Sequence, residues 1–156
     1  MAHQQIDSMA EKRFHPPGWL LAAVAAMVVL RFLPPRWALT PFPWSLIGIA
    51  PLLVGIGANL WADRAFKVSD TTVKPGERPS ALITDGAYRF TRHPMYIGML
   101  LVLIGVAILL GRPLPWIVVP AFAVVVRRFM IMEEDRMEAE FGEAYREYTQ
   151  HVRRWL

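Results

Sequence analysis

The chain has no cysteine among its 156 residues, which excludes disulfides and thiolate-bound metal and leaves its redox compartment open. Acidic residues are missing from the core of every long apolar run, so no carboxylate there has to find a buried partner. Neither an internal repeat nor a low-complexity stretch is present. The one glycine pattern that looks like a nucleotide motif, Gly55-Ile56-Gly57-Ala58, lacks the strand and turn that would cradle a phosphate. In a run this apolar, small residues mark close packing of helices.

What is present is apolar. Hydrophobic residues make up 54% of the chain and the mean hydropathy is positive, above the share of a soluble domain. Four runs stand out: Gly18 to Leu33, Trp44 to Ala62, Met95 to Leu110, and Leu114 to Met132, whose uninterrupted core ends at Val126. A full span takes roughly 20 residues at 1.5 Å each, so only the second and fourth approach it unaided. Tilt, local thinning or snorkelling accommodates the shorter two. The expected fold is therefore an all-α integral membrane domain of about four transmembrane helices, the last two a short hairpin turning at Gly111-Arg112-Pro113, with a further amphipathic helix at the interface. Lys12 and Arg13 before the first run would also suit a signal peptide. Arg31 and Pro34-Pro35-Arg36 offer no small-residue cleavage site, so the run is read as retained.

Charge sets the expected orientation. Lys12 and Arg13 precede the first span, and the middle loop carries Arg64, Lys67, Lys74, Arg78, Arg89 and Arg92. Arg127, Arg128, Arg136, Arg146, Arg153 and Arg154 follow the last apolar core, leaving only Arg31, Arg36 and Arg112 of the 17 cations for the other side. Cations stay on the cytoplasmic side during insertion, which predicts both termini and the middle loop in the cytoplasm, beneath an inner membrane if the cell is bacterial. The net charge of +4 follows from that asymmetry and suits anionic lipid headgroups. Because the cations flank apolar spans and form no stripe on a soluble face, nucleic acid is not an expected partner.

Residues 1–16 are polar and unpatterned and read as a flexible tail, ahead of a single domain over 17–156. The connection from Asp63 to Arg92 is about 30 residues, a functional candidate by length alone. Lys74-Pro75-Gly76-Glu77-Arg78-Pro79 and Asp85-Gly86 read as turns within it. Beyond Met132, the residues Met137, Phe141, Tyr145, Tyr148, Val152 and Trp155 recur at helical spacing. Acids crowd the first half of that segment and Arg153 and Arg154 its end, as a helix dipole favours. It reads as an amphipathic helix continuing from the last span.

Two polar clusters bracket the apolar hairpin. His93 lies between Arg92 and Pro94, and since proline suits the first turn of a helix, His93 falls near an N-cap, where free N–H groups favour anionic ligands. An isolated His at a membrane edge would otherwise be an interfacial residue beside a snorkelling Arg. Tyr96 adds a ring and hydroxyl, and Gly98 room for close approach. Glu133 and Glu134 close the other end of the hairpin. They serve either as solvated anchors or as a pocket carboxylate matched to a ligand ammonium or to ribose hydroxyls. Neighbours on a helix point about 100° apart, so one of the two at most is expected in a pocket.

Leu82-Ile83-Thr84-x-Gly86-x-Tyr88-Arg89, Arg92-His93-Pro94-x-Tyr96-x-Gly98, Glu133-Glu134 and Phe141-Gly142-x-x-Tyr145-x-x-Tyr148, with Thr72-Val73-x-Pro75 ahead of them, closely resemble the isoprenylcysteine carboxyl methyltransferase family. Phospholipid methyltransferases share a looser version, and the resemblance covers roughly residues 45 to 156. It implies an integral membrane enzyme that takes S-adenosyl-L-methionine from the cytoplasm and a lipophilic acceptor from the bilayer, without a metal. By matching positions it implies cofactor contacts at Ser80, Ala81, Leu82, Ile83, Tyr88, His93, Pro94, Met95, Tyr96 and Glu133, within a cofactor-binding part over 63–156. In the phospholipid branch it adds Gly55 and Gly57. The carboxyl-methylating branch carries an Arg four residues before the first Glu of the pair. Phe129 stands there in this chain, so Arg128 substitutes only if the helix is distorted.

Methyl transfer from a sulfonium asks the protein for alignment and exclusion of water. A carboxylate acceptor needs a cation such as Arg128, whereas an amine or thiol needs a base such as His93 or Glu134. The acceptor is thus open among an isoprenylcysteine carboxylate, a phospholipid amine and another lipophilic nucleophile. Two other readings stand beside this one: a membrane sterol-type reductase using NADPH, and a non-catalytic four-helix membrane protein.

Overall fold

The structure, a computed structural model, describes residues 16–68 and 82–155. Ser80, Ala81, the Thr72–Pro75 motif, the turn at 74–79 and all of the expected tail except Pro16 lie outside the described residues. Among the described residues five α-helices carry the fold: α1 (Pro16–Leu30), α2 (Ile49–Val68), α3 (Pro94–Leu110), α4 (Val118–Phe141) and α5 (Glu143–His151). Single 3-10 turns at Trp44–Gly48, Gly86–Arg89 and Leu114–Ile117 lead into α2, the site and α4. No strand occurs among the described residues.

Among the described residues two helical stretches are long and apolar enough to cross a membrane, Trp44–Ala65 and Leu114–Phe141, and two shorter apolar helices run over Gly18–Leu30 and Pro94–Leu110. Only 17% and 22% of the most apolar windows of the long pair is buried within the protein, so neither is the core helix of a soluble fold. Trp19, Leu53, Val54, Leu60, Ile117 and Val124 point outward, as a lipid-facing surface requires.

Without a hydrophobic drive between helices in lipid, close backbone contact has to hold α2 to α3. Glycines supply it in two antiparallel pairs. A Cβ on Gly48 would stand 2.5 Å from the Gly105 carbonyl, and one on Gly55 2.5 Å from the Gly98 carbonyl. Gly57, two residues beyond Gly55, meets nothing within 4 Å. The close approach expected at Gly98 is made by a helix: Gly55 and Asn59 fill the space, and the Asn59 amide donates to the Gly55 carbonyl at 2.9 Å.

The far end of α3 is closed by the chain between α1 and α2. Arg31 Nη1 donates to the Leu110 carbonyl at 2.9 Å and Thr40 Oγ1 to that of Ile108 at 2.8 Å. Gly111 takes φ +67°, the left-handed stop that lets the hairpin turn. Arg31 is thus a helix cap. Met27, Met99, Leu103, Ala107, Phe122 and Val126 form the buried core between α1, α3 and α4, with Trp155 packed against it.

One expectation on the last helix changes. The periodic segment continues α4 as far as Phe141, then breaks at Gly142, whose φ of +53° sets α5 off as a separate piece. A bent path brings Tyr145 and Val152 into the interior, where a straight continuation would have carried them away.

Replacing Gly105 by Ala should destabilise the protein by about 1–3 kcal/mol, because its Cβ would press on the Gly48 carbonyl and the Leu52 amide, both at 2.7 Å. Gly57→Ala, in open space, should be neutral or stabilise by up to about 1 kcal/mol. Denaturant unfolding in detergent micelles compares the two.

Candidate functional site

The site forms where the loop before α3, the polar end of α4 and the last residues of the chain meet. The 3-10 turn Gly86–Arg89 rests on the end of α2, with Gly86 at φ +63° beside Trp61 and Ala65 and the Trp61 and Phe90 rings 6.0 Å apart. From this turn the chain runs through buried Thr91 to His93, which caps α3, with Pro94 in the first helical turn. Tyr148, on α5, donates its hydroxyl to the Tyr88 carbonyl at 2.7 Å and ties the turn down from the other side.

His93 is 6% exposed and both ring nitrogens face carboxylates. Nε2 lies 2.9 Å from Glu134 Oε1 and Nδ1 3.8 Å from Glu133 Oε2. Sequence reasoning allowed one of these neighbours into a pocket. Both reach His93, because the imidazole stands between them and offers a nitrogen to each side. Glu134 also receives the forked guanidinium of Arg154, Nη2 at 2.6 Å from Oε2 and Nε at 3.0 Å from Oε1, and Arg92 Nη1 at 3.3 Å. Its side chain is only 9% exposed; that of Glu133 is 44% exposed and bonds the Tyr96 hydroxyl. The buried carboxylate is thus committed within the protein, and its neighbour is the one left accessible.

Burial pushes the His93 imidazole below its ordinary range. The hydrogen bond to Glu134 opposes that shift, and the charges of Arg154 and Arg92 reinforce it. Burial likewise raises the Tyr88 hydroxyl, with Glu133 adding to the effect, and pushes Tyr145 up to about 12. Both tyrosines are therefore hydrogen-bond donors at neutral pH.

Of the residues predicted to touch a cofactor, His93, Pro94, Met95 and Tyr96 open α3, and His93 and Tyr96 meet Glu133 at the polar end of α4. Leu82 and Ile83 are half-buried in the extended segment leading to the Tyr88 turn. Arg128 is exposed on α4, and the guanidiniums gathered at Glu134 are those of Arg92 and Arg154. Neither of these two was singled out from the sequence. Arg92 had a signal, being the neighbour of His93. Arg154, 20 residues from its partner and next to the chain's end, had none. A separate cavity of about 580 Å³ borders Leu82, Thr84, Arg89, Glu147, Tyr148 and His151, and holds none of His93, Tyr96 or Glu133. Among the described residues no group of His, Asp and Glu is arranged to hold a metal.

Against known proteins, a model of the phospholipid methyltransferase family matches residues 44–144. The chain is 32% identical over 137 residues to protein-S-isoprenylcysteine O-methyltransferase B of Arabidopsis thaliana, covering 85% of this chain and 66% of that one. It is 32% identical over 75 residues to protein-S-isoprenylcysteine O-methyltransferase of Schizosaccharomyces pombe, covering 46% of this chain and 30% of that one. An uncharacterized protein of Haemophilus influenzae is 44% identical over 63 residues, 40% of this chain and all of its own length. The chain spans at most about two thirds of the length of these isoprenylcysteine relatives. No solved structure matches it significantly.

Removing the Glu134 carboxylate strands two guanidiniums, so Glu134→Ala should destabilise by about 3 kcal/mol, the low end for a broken buried pair because Arg154 is part-exposed. Arg146→Ala breaks only exposed pairs, with Glu138 and Glu143, and should leave the melting temperature unchanged. The depressed His93 means that the unfolded chain takes up that proton first. Stability should therefore hold above pH about 6.5 and fall below it, and His93→Gln should flatten that limb. Thermal melts from pH 8 to 5 measure both effects.

Proposed function

We propose that this chain, which belongs to the phospholipid methyltransferase family, transfers a methyl group from S-adenosyl-L-methionine to a lipophilic acceptor that carries a proton to lose. The observation that supports this best is the meeting of the two polar clusters. His93 and Glu133 stand 40 positions apart across an apolar hairpin, yet their side chains face each other at 3.8 Å beside Tyr96.

The donor set suits that cofactor. Glu133 is a part-exposed carboxylate of the kind that accepts from ribose hydroxyls or from an amino group. Tyr96 and Tyr88 supply rings and protonated hydroxyls, and Leu82 and Ile83 apolar surface. When bound, S-adenosylmethionine supplies a methyl on a positively charged sulfur, an electrophile that needs no metal. The carboxylates of Glu133 and Glu134 favour a cation in their neighbourhood.

Glu134 accepts from Nε2–H, and a carboxylate can only accept, so Nδ1 carries the free lone pair of His93. An ammonium or thiol acceptor would give its proton to that lone pair and so expose a lone pair of its own, which would take the methyl group as the sulfur leaves as a neutral thioether. For a carboxylate acceptor the geometry is less favourable: the guanidiniums of Arg92 and Arg154 are shared by Glu134, and Arg128 faces outward. Holding the partners in line contributes about 7–11 kcal/mol in favourable cases.

The site sits at the polar end of the α3–α4 hairpin, on the side richest in cations. This supports an arrangement with four spans, both termini and the site in the cytoplasm, and the acceptor entering from the lipid.

Calorimetry in detergent should show that the protein binds S-adenosylmethionine, and that Glu133→Ala and Tyr96→Ala each weaken binding about tenfold or more, roughly 1.4 kcal/mol. Absence of binding by the unmodified protein would refute the reading.

A further inference from the structure

We propose that Arg154, two residues before the last of the sequence, is a positioning residue that holds His93 from both sides and so keeps the Nδ1 lone pair directed at the reacting group. The inference rests on the methyltransferase reading above.

Arg154 reaches His93 by two routes. Through its backbone, the Arg154 carbonyl accepts from Thr91 Oγ1 at 3.0 Å, and the same hydroxyl oxygen accepts from the His93 N–H at 3.3 Å. Through its side chain, the guanidinium grips both oxygens of Glu134, whose Oε1 accepts from His93 Nε2 at 2.9 Å. One residue therefore fixes the backbone and the ring of the same histidine. The terminal segment is stitched to the loop beside it: Arg92 N–H donates to the Arg153 carbonyl at 3.0 Å and Arg92 Nε to that of Val152 at 2.8 Å.

The forked contact has a definite role. A carboxylate bound to one guanidinium at a single oxygen can turn, whereas two parallel bonds fix its plane. Without Arg154, Glu134 would keep Arg92 Nη1 at 3.3 Å and stay beside the imidazole, but the plane in which it meets the ring would no longer be fixed. The groups facing His93 are Arg92 on its loop, Tyr96 on α3, Glu133 and Glu134 on α4, Tyr145 near Glu134 on α5, and Arg154 itself. Losing a cation from this set leaves the carboxylates in excess, so the ring would take a proton more readily and the Nδ1 lone pair would be lost at neutral pH.

Nitrogen NMR of histidine-labelled protein in detergent, with His93 assigned through His93→Gln, tests this directly. The unmodified protein at neutral pH should show His93 neutral with its proton on Nε2, and a proton on Nδ1 would overturn the proposal even if no variant folds. In Arg154→Met the His93 titration midpoint should move up. The kcat for transfer of labelled methyl into a mixture of phosphatidylethanolamine and S-farnesylcysteine should fall about tenfold, with KM for S-adenosylmethionine within about twofold. Arg154→Lys, with the charge but not the fork, should restore the midpoint more than the rate. An unmoved midpoint, or a moved one with unchanged kcat, overturns the proposal. Failure of the unmodified protein to bind S-adenosylmethionine would instead count against the methyltransferase reading, while the tautomer still judges the role of Arg154.

Discussion

A carboxylate buried to the degree of Glu134 has to be met by donors, and the donors it recruits close one end of this molecule. Arg92 and His93 come from the loop before α3, and Arg154 from the end of the chain. Each would be a costly or mobile group alone; together they satisfy both oxygens and leave the imidazole neutral in a pocket too dry for an isolated charge. The apolar helices cannot perform this closure themselves. Lipid competes equally for their side chains, so polar contact at the rim and backbone contact within the bundle are the forces that remain.

The glycine seam supplies the second of these. Gly48 against Gly105 and Gly55 against Gly98 repeat at the same spacing on both helices, which fixes the register of α2 on α3 and hence the height at which α2 delivers Trp61 beneath the Gly86 turn. From that turn the loop has only a few residues in which to reach His93. The seam thus sets the depth of the site, and the Glu134 cluster sets its orientation.

Much of this was legible in the sequence, and the rest was hidden for identifiable reasons. The apolar runs, the hairpin stop at Gly111 and the start of α3 at Pro94 follow from local rules of burial, capping and proline. Close packing at Gly55 was also readable, because an apolar run gives a small residue little else to do. The room for close approach read at Gly98 is there, but what approaches was hidden: Asn59 and Gly55 lie on a different helix and leave no trace near Gly98 in the chain. The limit of one glutamate at the pocket failed on geometry. The angle between neighbouring side chains holds, but a two-nitrogen ring seated between them meets both. The break at Gly142 was obscured by side-chain periodicity, which runs through it unperturbed while the backbone turns. Arg154 was invisible because its function depends on where the terminus returns. The four-span arrangement remains a reading of composition and charge: two described helices have the length to cross a membrane and two are shorter.

Glu133 and Glu134 divide the work that one residue could not do. A carboxylate rigid enough to orient an imidazole must be fully engaged, and one fully engaged has no capacity for a ligand. Placing them side by side on α4 assigns the inward turn of the helix to the first task and the adjoining, more open face to the second. Since Arg92 and Arg154 are consumed by the inward carboxylate, the open side presents a carboxylate and an imidazole lone pair with no guanidinium of that cluster to spare. Such a surface favours positive charge and hydrogen-bond donors over anions. In the proposed reaction the acceptor preference would follow from how the scaffold is neutralised: Arg92 and Arg154, engaged by Glu134, are the cations that an anionic acceptor would need.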